Sequence, residues 1–284
     1  MANRSRKLAL VSLFSSVALV LAGCSAELQR GFLPDSAGVT NHTDRIIGLW
    51  TTSWIVLLLV GIVAWGLMAW ALIVYRRRKG ETGLPAQLRY NMPIEALFTA
   101  IPLILVLGFF AFTARDTAAI EAKIENPDVE IQVIAKQWSW DFNYKDADVY
   151  DSGIQAQFTG SEENIMETLP TLYLPVGKSV QIDLTSRDVI HSFWVVEFLY
   201  KKDMFPAKTN YMYFTPLKEG TYVGKCAELC GEYHSMMLFN VKVVSQAEYD
   251  SHLASLAAKG NIGQLSTDYD RNQNRPGGDP EKRG

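Results

Sequence analysis

The sequence predicts a two-helix membrane hairpin followed by an all-β sandwich or barrel outside the membrane. Two apolar segments long enough to cross a bilayer lie within the first 115 residues, and a strongly basic loop separates them. From Val129 onward the pattern changes to period-two alternation with turn residues. The 284 residues carry a net charge of −3 with no basic block that would suggest nucleic acid as a partner.

Residues 1–23 resemble a lipoprotein signal peptide. Three basic residues precede a short apolar run that ends in Leu-Ala-Gly-Cys. Cys24 then becomes the lipidated first residue of a mature chain in a bacterial cytoplasmic membrane, with an external segment at 24–45. The alternative is an ordinary membrane anchor with an incidental cysteine.

The two predicted transmembrane helices, 46–75 and 94–114, flank a loop at 76–93. About twenty apolar residues cross a bilayer, and both segments reach that length. The loop carries five basic residues against one acid, Glu81, so the positive-inside rule places it in the cytoplasm. Both ends of the mature chain are therefore expected on the outer face.

Glu95 lies at the start of the second predicted span, where an ionisable group is costly. Two interpretations stay open on the residues alone. The carboxylate either reaches water at the cytoplasmic boundary or belongs to a proton pathway and faces another helical subunit.

The external domain is predicted at 115–250, with short strands separated by turn residues. The strand candidates are Val129–Ala135, Thr171–Leu174, Ser179–Leu184, Ser192–Val196, Tyr211–Thr215, Gly220–Lys225 and Met237–Val244. Their spacing predicts an antiparallel sandwich or barrel. Tyr150 to Thr168 is predicted to be an inserted loop. Residues 251–284 are predicted to form a short helix and then, from Gly260, a disordered tail.

The strongest chemical signal is the pattern C-x-x-x-C-x-x-x-H-x-x-M at Cys226, Cys230, His234 and Met237, with His191 upstream. The chain has three cysteines, and lipidation would occupy one, so the remaining pair needs a chemical explanation. Thiolate, thioether and imidazole donors together favour copper. Two thiolates can bridge two copper ions, each completed by one imidazole and one weaker donor, which suits electron transfer.

Three alternatives stay open beside a dinuclear copper site. An exported cysteine pair is most often a disulfide, but a disulfide explains neither His234 nor Met237. Zinc suits cysteine and histidine but not a thioether. A mononuclear copper site would use one thiolate rather than two. The motif for covalent haem attachment does not occur in the sequence.

These motifs, together with Gln137-Trp138-Ser139-Trp140 and Asp188-Val189-Ile190-His191-Ser192-Phe193, resemble subunit II of a haem–copper cytochrome c oxidase. The resemblance covers about residues 40–245. It implies a cupredoxin-like Greek-key domain that holds a dinuclear CuA centre of two copper ions, with no haem on this chain.

The resemblance also implies a role for each residue of the motif. Bridging thiolates would come from Cys226 and Cys230, imidazole ligands from His191 and His234, and an axial thioether from Met237. Glu228 would offer its backbone carbonyl to copper and its side chain to a magnesium or manganese ion shared with subunit I.

Outside the motif, the resemblance implies that Trp138 receives electrons from cytochrome c, where the plainer interpretation is a core or interface tryptophan. It implies that Glu95 is the entrance of a proton pathway into subunit I, where O2 is reduced and protons are pumped. The implied partners are subunit I and other oxidase subunits, soluble or membrane-bound cytochrome c, and membrane lipid. Acidic residues outnumber basic ones between Arg115 and Glu248, which favours a basic docking face on the donor.

Three other functions compete with this interpretation. A quinol oxidase subunit II shares the hairpin and the sandwich but lacks the copper ligands. A nitrous oxide reductase has a similar copper cluster without the two-span anchor. A membrane-tethered copper carrier would bind the metal but has no need for Trp138 or Glu95.

Overall fold

The computed structural model describes residues 30–80, 82–84, 87–156, 165–166 and 168–268. The chain divides into two compact units after Ser36, and the helices and strands that follow all lie in the second unit. The predicted signal peptide and Cys24 lie outside the described residues. So do 157–164 of the predicted inserted loop and the tail beyond 268.

Within the described residues, the second unit contains three α-helices and ten strands. The helices are α1 (Thr43–Val74), α2 (Met92–Ile120) and α3 (Gln246–Ala258). The strands are β1 (Val129–Lys136), β2 (Ser139–Tyr144), β3 (Val149–Ser152), β4 (Thr171–Pro175), β5 (Val180–Ser186), β6 (His191–Val195), β7 (Tyr200–Met204), β8 (Asn210–Phe214), β9 (Gly220–Cys226) and β10 (Leu238–Val244).

Helices α1 and α2 are long and apolar enough to cross a membrane, and their most apolar 18-residue stretches have mean hydropathies of 2.5 and 2.3. At 1.5 Å per residue they are about 48 Å and about 44 Å long, whereas the bilayer core is about 30 Å thick. The prediction of two apolar helices is confirmed. Helix α2 continues to Ile120, beyond the predicted end of the span, because helical hydrogen bonds persist after the apolar run stops.

Polar contacts join the helix ends nearest the β-domain to each other and to that domain. Asp116 on α2 is almost fully buried and accepts a hydrogen bond of 2.9 Å from Arg45 on α1. Just beyond α2, Glu121 accepts a hydrogen bond of 2.8 Å from the Tyr200 hydroxyl on β7. His42, which precedes α1, places its Nε2 2.9 Å from the Tyr213 carbonyl on β8.

The β-domain is a sandwich of two five-stranded sheets, ordered β3-β2-β1-β5-β8 and β4-β10-β9-β6-β7. Trp140, Phe193 and Phe239 contact one another in the core between the sheets. Most neighbouring strands are antiparallel, but β1 pairs with β5, and β10 with β4, in parallel. The expectation of a purely antiparallel sandwich was therefore wrong, because parallel neighbours join strands distant in sequence that local turn signals do not reveal.

Strands β2, β3 and β7 were not predicted. In β2 the aromatic residues at 140, 142 and 144 alternate with Ser139, Asp141 and Asn143, and all six residues are buried. This period-two alternation is itself a strand signal, and what it does not reveal is that the polar face is also buried. Strand β7 lies at a sheet edge and carries two lysines, which is how edge strands avoid pairing with other chains.

The described residues just beyond Gly260, where the sequence predicts the start of a disordered tail, contact the edge of the sheet. Ile262 forms a β-bridge with Val149 on the edge strand β3. The Leu265 amide donates a 2.9 Å hydrogen bond to Asn143 Oδ1, and Asn143 Nδ2 donates one of 3.0 Å to the Leu265 carbonyl. The segment satisfies backbone groups at the end of a sheet, which its polar composition does not show.

Candidate metal centre

Neighbouring strand ends bring the predicted metal ligands together. His191 is the first residue of β6 and Cys226 the last residue of β9, and these strands are antiparallel neighbours. The loop between β9 and β10 carries Cys230, His234 and Met237. A 3-10 turn at His234–Met236 returns the chain to the sheet. A ligand separated from the motif by many residues therefore reaches the same site.

The donor atoms fall into two groups, one around each thiol. Cys226 Sγ lies 3.8 Å from His191 Nδ1 and 3.2 Å from the Glu228 carbonyl oxygen. Cys230 Sγ lies 3.4 Å from His234 Nδ1 and 3.7 Å from Met237 Sδ. Each sulfur thus has one imidazole and one weaker donor beside it.

The two sulfurs are 3.8 Å apart and both cysteines are free. A disulfide bond would hold them about 2.05 Å apart, so the disulfide alternative does not describe this arrangement.

These separations fit donors that share a metal ion. Two donors at about 2.3 Å from one ion, at a tetrahedral angle, lie about 3.7 Å apart. His191, Met237 and both cysteines are at most 5% exposed, so the donors are shielded from water. Ligand atoms of His191, Cys226 and Cys230 all lie within 4.8 Å of one another, whereas His234 falls outside that group. The residues present therefore suit a soft metal ion better than a substrate.

Asp188 sets the orientation of the His191 ring. Its Oδ1 accepts a 2.8 Å hydrogen bond from His191 Nε2, so the Nδ1 that faces Cys226 keeps its lone pair for a metal. Burial lowers the pKa of His191, but the hydrogen bonds with Asp188 and Cys226 outweigh burial and raise it overall. The pKa of Asp188 is lowered because bonds from His191, Gln137 and Val189 outweigh the effect of its own burial.

The two thiols titrate as a pair. The hydrogen bond with Cys230 is the main cause that lowers the pKa of Cys226, and the same contact, together with burial, raises the pKa of Cys230. Two thiolates this close repel each other, so the apo site favours a single negative charge. A bound cation would remove that penalty and allow both thiols to ionise.

Trp138 lies at the tip of the β1–β2 hairpin and reaches the metal loop directly. Its indole Nε1 donates a 3.2 Å hydrogen bond to the Cys230 carbonyl, which also accepts a 2.7 Å bond from Gln137 Nε2. The ring packs edge-on against Tyr233 at 4.9 Å between centroids. Gly231 has a φ of +124°, and a Cβ there would lie 3.1 Å from both Gln137 Nε2 and Trp138 Cζ2.

Known proteins are similar to this chain in sequence. The family model described as cytochrome c oxidase subunit II, periplasmic domain, matches residues 129–244. The probable cytochrome c oxidase subunit 2 of Streptomyces avermitilis is 46% identical over an alignment of 257 residues, and the match covers 80% of this chain and 80% of its own. The chain belongs to the cytochrome c oxidase subunit 2 family. It is therefore one subunit of an oxidoreductase.

More distant members of the family align over most of their length. The cytochrome c oxidase subunit 2 of Mycobacterium bovis is 32% identical over 87% of this chain and 81% of its own. Among solved structures, the periplasmic domain of subunit II of the Bradyrhizobium japonicum cytochrome oxidase is similar. It is 29% identical, covers 48% of this chain and 99% of its own, and gives a TM-score of 0.44.

Two predicted site groups, the Glu95 and Glu228 side chains, lie apart from the cluster of donor atoms. Glu95 is in the first turn of α2, where its Oε1 accepts a 2.9 Å hydrogen bond from the Asn91 amide. Asn91 in turn accepts a hydrogen bond from Ile94, so the two side chains cap the helix. The Glu228 side chain is exposed, and its backbone carbonyl alone reaches the cluster.

Residues that support the site were not identified from the sequence. Asp188 belongs to the motif that contains His191, and its position three residues before that histidine was the one sign that it could contact the ring. Gln137 acts through the backbone carbonyl of Cys230, which lies on another loop. Gly231 leaves the space that Gln137 and Trp138 occupy there. No spacing in the sequence indicates such a contact.

Proposed function

We propose that this chain is the electron-accepting subunit of a bacterial cytochrome c oxidase. Reduced cytochrome c, soluble or membrane-bound, would dock on the outer face and deliver single electrons at Trp138. From the cluster the electrons would continue to the haems of subunit I, where O2 is reduced to water and protons are pumped. The observation that carries the proposal is the hydrogen bond from the Trp138 indole to the Cys230 carbonyl.

This bond supports electron entry because it joins a surface residue to a metal ligand in one step. Trp138 is half-buried, and its neighbour Tyr233 is 40% exposed. Leu229, next to Cys230, is 78% exposed, which is unusual for an apolar side chain beside a buried site. An apolar patch around a partly exposed indole suits a partner that binds briefly and leaves.

We further propose that the cluster holds two copper ions, with both thiolates shared. The donors that support this are Cys226, Cys230, His191, His234, Met237 and the Glu228 carbonyl. Their division into two groups, each with one imidazole and one weaker donor, suits two ions better than one. Such a centre supplies a one-electron carrier with no position for substrate. The protein holds the donors in place and keeps water out.

The remaining parts of the proposal concern the membrane. The basic loop would face the cytoplasm and the sandwich the outside, with Cys24 lipidated there. Glu95 would lie at the cytoplasmic end of α2 beside a proton pathway of subunit I. The exposed Glu228 carboxylate would join a magnesium or manganese ion at the interface with subunit I. Capping of α2 uses one carboxylate oxygen of Glu95, which leaves the other oxygen for a contact with the proton pathway of subunit I.

Electron entry through Trp138 is tested by Trp138→Phe in the purified oxidase complex. The indole N–H is lost, and the rate at which reduced cytochrome c is oxidised in a single turnover should fall about tenfold to about a hundredfold. Copper content and the copper absorption spectrum should stay unchanged. The measurement is stopped-flow absorbance of the donor.

The matched control is Trp194→Phe. Trp194 lies on β6 beside the cluster, under the Lys225 ammonium at 4.5 Å, and makes no hydrogen bond to Cys230. Its substitution should leave the entry rate within about twofold of the wild type. Equal rates for wild type and Trp138→Phe would refute electron entry at Trp138. A chain that binds copper but supports no steady oxidation of cytochrome c would be a copper carrier.

A further inference from the structure

Three charged side chains are buried beneath the hairpin that carries Trp138. Lys136 Nζ lies 2.7 Å from Asp141 Oδ1, and an Arg187 guanidinium nitrogen lies 3.1 Å from Asp141 Oδ2. Their side chains are 1%, 0% and 9% exposed, in the order Lys136, Asp141, Arg187. We call Lys136, Asp141 and Arg187 the ion triad.

Stability alone is a poor explanation for the ion triad. Moving charges out of water costs several kcal/mol for each ion, and apolar residues of similar volume are often as stable or more stable. What a buried network of ions provides better than apolar contacts is direction, since each bond fixes a distance and an angle. The position of the ion triad therefore indicates what it orients.

Each member of the ion triad is adjacent to one of two functional segments, the hairpin that carries Trp138 and the segment that leads to His191. Lys136 ends β1 directly before the turn that carries Trp138, and Asp141 follows on β2. Arg187 directly precedes Asp188, the residue that orients His191, and its amide donates a 3.0 Å hydrogen bond to the Ala135 carbonyl. The carboxylate of Asp141 thus ties the base of the Trp138 hairpin to the base of the segment leading to a metal ligand.

Above the ion triad, two further polar contacts join the same segments. The backbone amide of Gln137 donates a 2.7 Å hydrogen bond to Asp188 Oδ2. At the tip, Gln137 and Trp138 both donate to the Cys230 carbonyl. Both contacts at the tip use the same acceptor, the Cys230 carbonyl oxygen, and the hairpin could reach that one atom at several angles. The ion triad at the base removes that freedom because one carboxylate binds cations from both segments.

We propose that the ion triad is a positioning device that holds Trp138 against the metal loop. It sets the rate at which electrons enter the site. This role rests on the proposed function of Trp138 as the point of electron entry. Asp141 and its two cations meet at the base of the hairpin, so the ion triad acts through Trp138.

Asp141→Asn tests the proposal, because it keeps the shape of the side chain and removes its charge. In the purified oxidase complex, donor oxidation in a single turnover should slow about tenfold to about a hundredfold. Copper content, the copper spectrum and KM for cytochrome c should stay near their wild-type values. In the copper-free chain in detergent, amide hydrogen exchange of the peptide that contains Gln137 should accelerate.

The matched control is Asp183→Asn. Asp183 lies on β5 of the same sheet and pairs with Lys145 at 3.1 Å, at the end of the β1–β2 hairpin that is remote from Trp138. It should leave both the entry rate and the exchange of the Gln137 peptide unchanged. Arg187→Lys, which keeps the charge, should retain most of the wild-type rate.

A neutral variant covers the case in which Asp141→Asn does not fold, since that change removes the carboxylate that pairs with two buried cations. Lys136→Met, Asp141→Leu and Arg187→Met together replace the charges by apolar groups, which buried sites often tolerate. Slow electron entry and fast exchange, with normal copper content, support the proposal. Wild-type entry and wild-type exchange overturn it, and so does loss of copper or of folding in this variant.

Failure of this proposal can be told apart from failure of the proposed function. If Trp138→Phe leaves the entry rate unchanged, electrons enter elsewhere and the proposed function fails, while the hydrogen exchange of the Gln137 peptide still tests positioning. If Trp138→Phe slows entry but Asp141→Asn does not, the ion triad alone is refuted. In the double variant the two effects should not add, because both act through Trp138.

Discussion

The metal centre and the C-terminal helix are held to the same sandwich by different kinds of contact. At the metal centre the contacts are polar and directional, and Asp188, Gln137 and the Cys230 carbonyl each satisfy a particular partner. At helix α3 they are largely aromatic, with His252 stacked on Tyr173 at 3.7 Å. Directional contacts set distances between groups, whereas stacked rings mainly exclude water. Changes at the metal centre should therefore alter function more than stability, and changes at α3 the reverse.

The largest effect is expected from Cys226→Ser. A hydroxyl is a poor ligand for a soft metal, and this sulfur faces donors from both halves of the cluster. The purified complex should lose the copper of this subunit and all rapid electron entry, while the two helices remain inserted. Metal analysis and single-turnover kinetics measure the loss, and protease protection in vesicles reports insertion. Full copper content would show that Cys226 is not a ligand.

A smaller change in function is expected from Met237→Leu. Loss of the thioether 3.7 Å from Cys230 removes electron donation to the oxidised metal, so the reduction potential should rise. Met236→Leu is the matched control, since that neighbouring thioether is not among the sulfur and nitrogen atoms grouped around the two thiols. Redox titration of the copper absorbance compares the two. Equal potentials would exclude Met237 from the site.

Gly231→Ala should cost about 1 to 3 kcal/mol in the free energy of unfolding, because φ is +124° there. The added Cβ would also press on Gln137 and Trp138, so electron entry should slow while copper content is retained. Gly177→Ala is the control, since Gly177 has a φ of +74° and a Cβ added there would meet no atom of the described residues within 4 Å. Its φ lies closer to the left-handed region that alanine can adopt, so it should share part of the destabilisation and none of the slowed electron entry. Thermal unfolding and stopped-flow kinetics measure the two effects.

The smallest effect, and one confined to stability, is expected at His252. Burial, and then the charges of Lys259 and Lys242, lowers its pKa from 6.5 to about 4. The unfolded chain therefore takes up a proton between about pH 6.5 and about pH 4 that the folded chain does not. Stability should fall as the pH falls through that window.

His252→Phe keeps the stacked ring and removes the titration, so this variant should lose less stability than the wild type over the same window. Unfolding midpoints at several pH values give the difference. Copper content and electron entry at neutral pH should not change. An identical pH dependence in both proteins would exclude His252 as the cause.

The sequence was sufficient for the hairpin and for the donor atoms, but not for what holds them in place. Apolar length predicts α1 and α2 because the bilayer imposes a fixed thickness. Cys226, Cys230, His234 and Met237 were found because their spacing is local. The ion triad was not, since Lys136 and Arg187 are distant in sequence and a buried lysine looks the same as an exposed one in a strand pattern.

The central claim is that the cluster around Cys226 and Cys230 holds two copper ions and that one unpaired electron is shared by the two ions. Electron paramagnetic resonance of the oxidised complex, alongside metal analysis of this subunit, tests it most directly. The expected result is two copper ions per chain and a hyperfine pattern from two equivalent copper nuclei. One copper ion per chain, with splitting from a single nucleus, would contradict it.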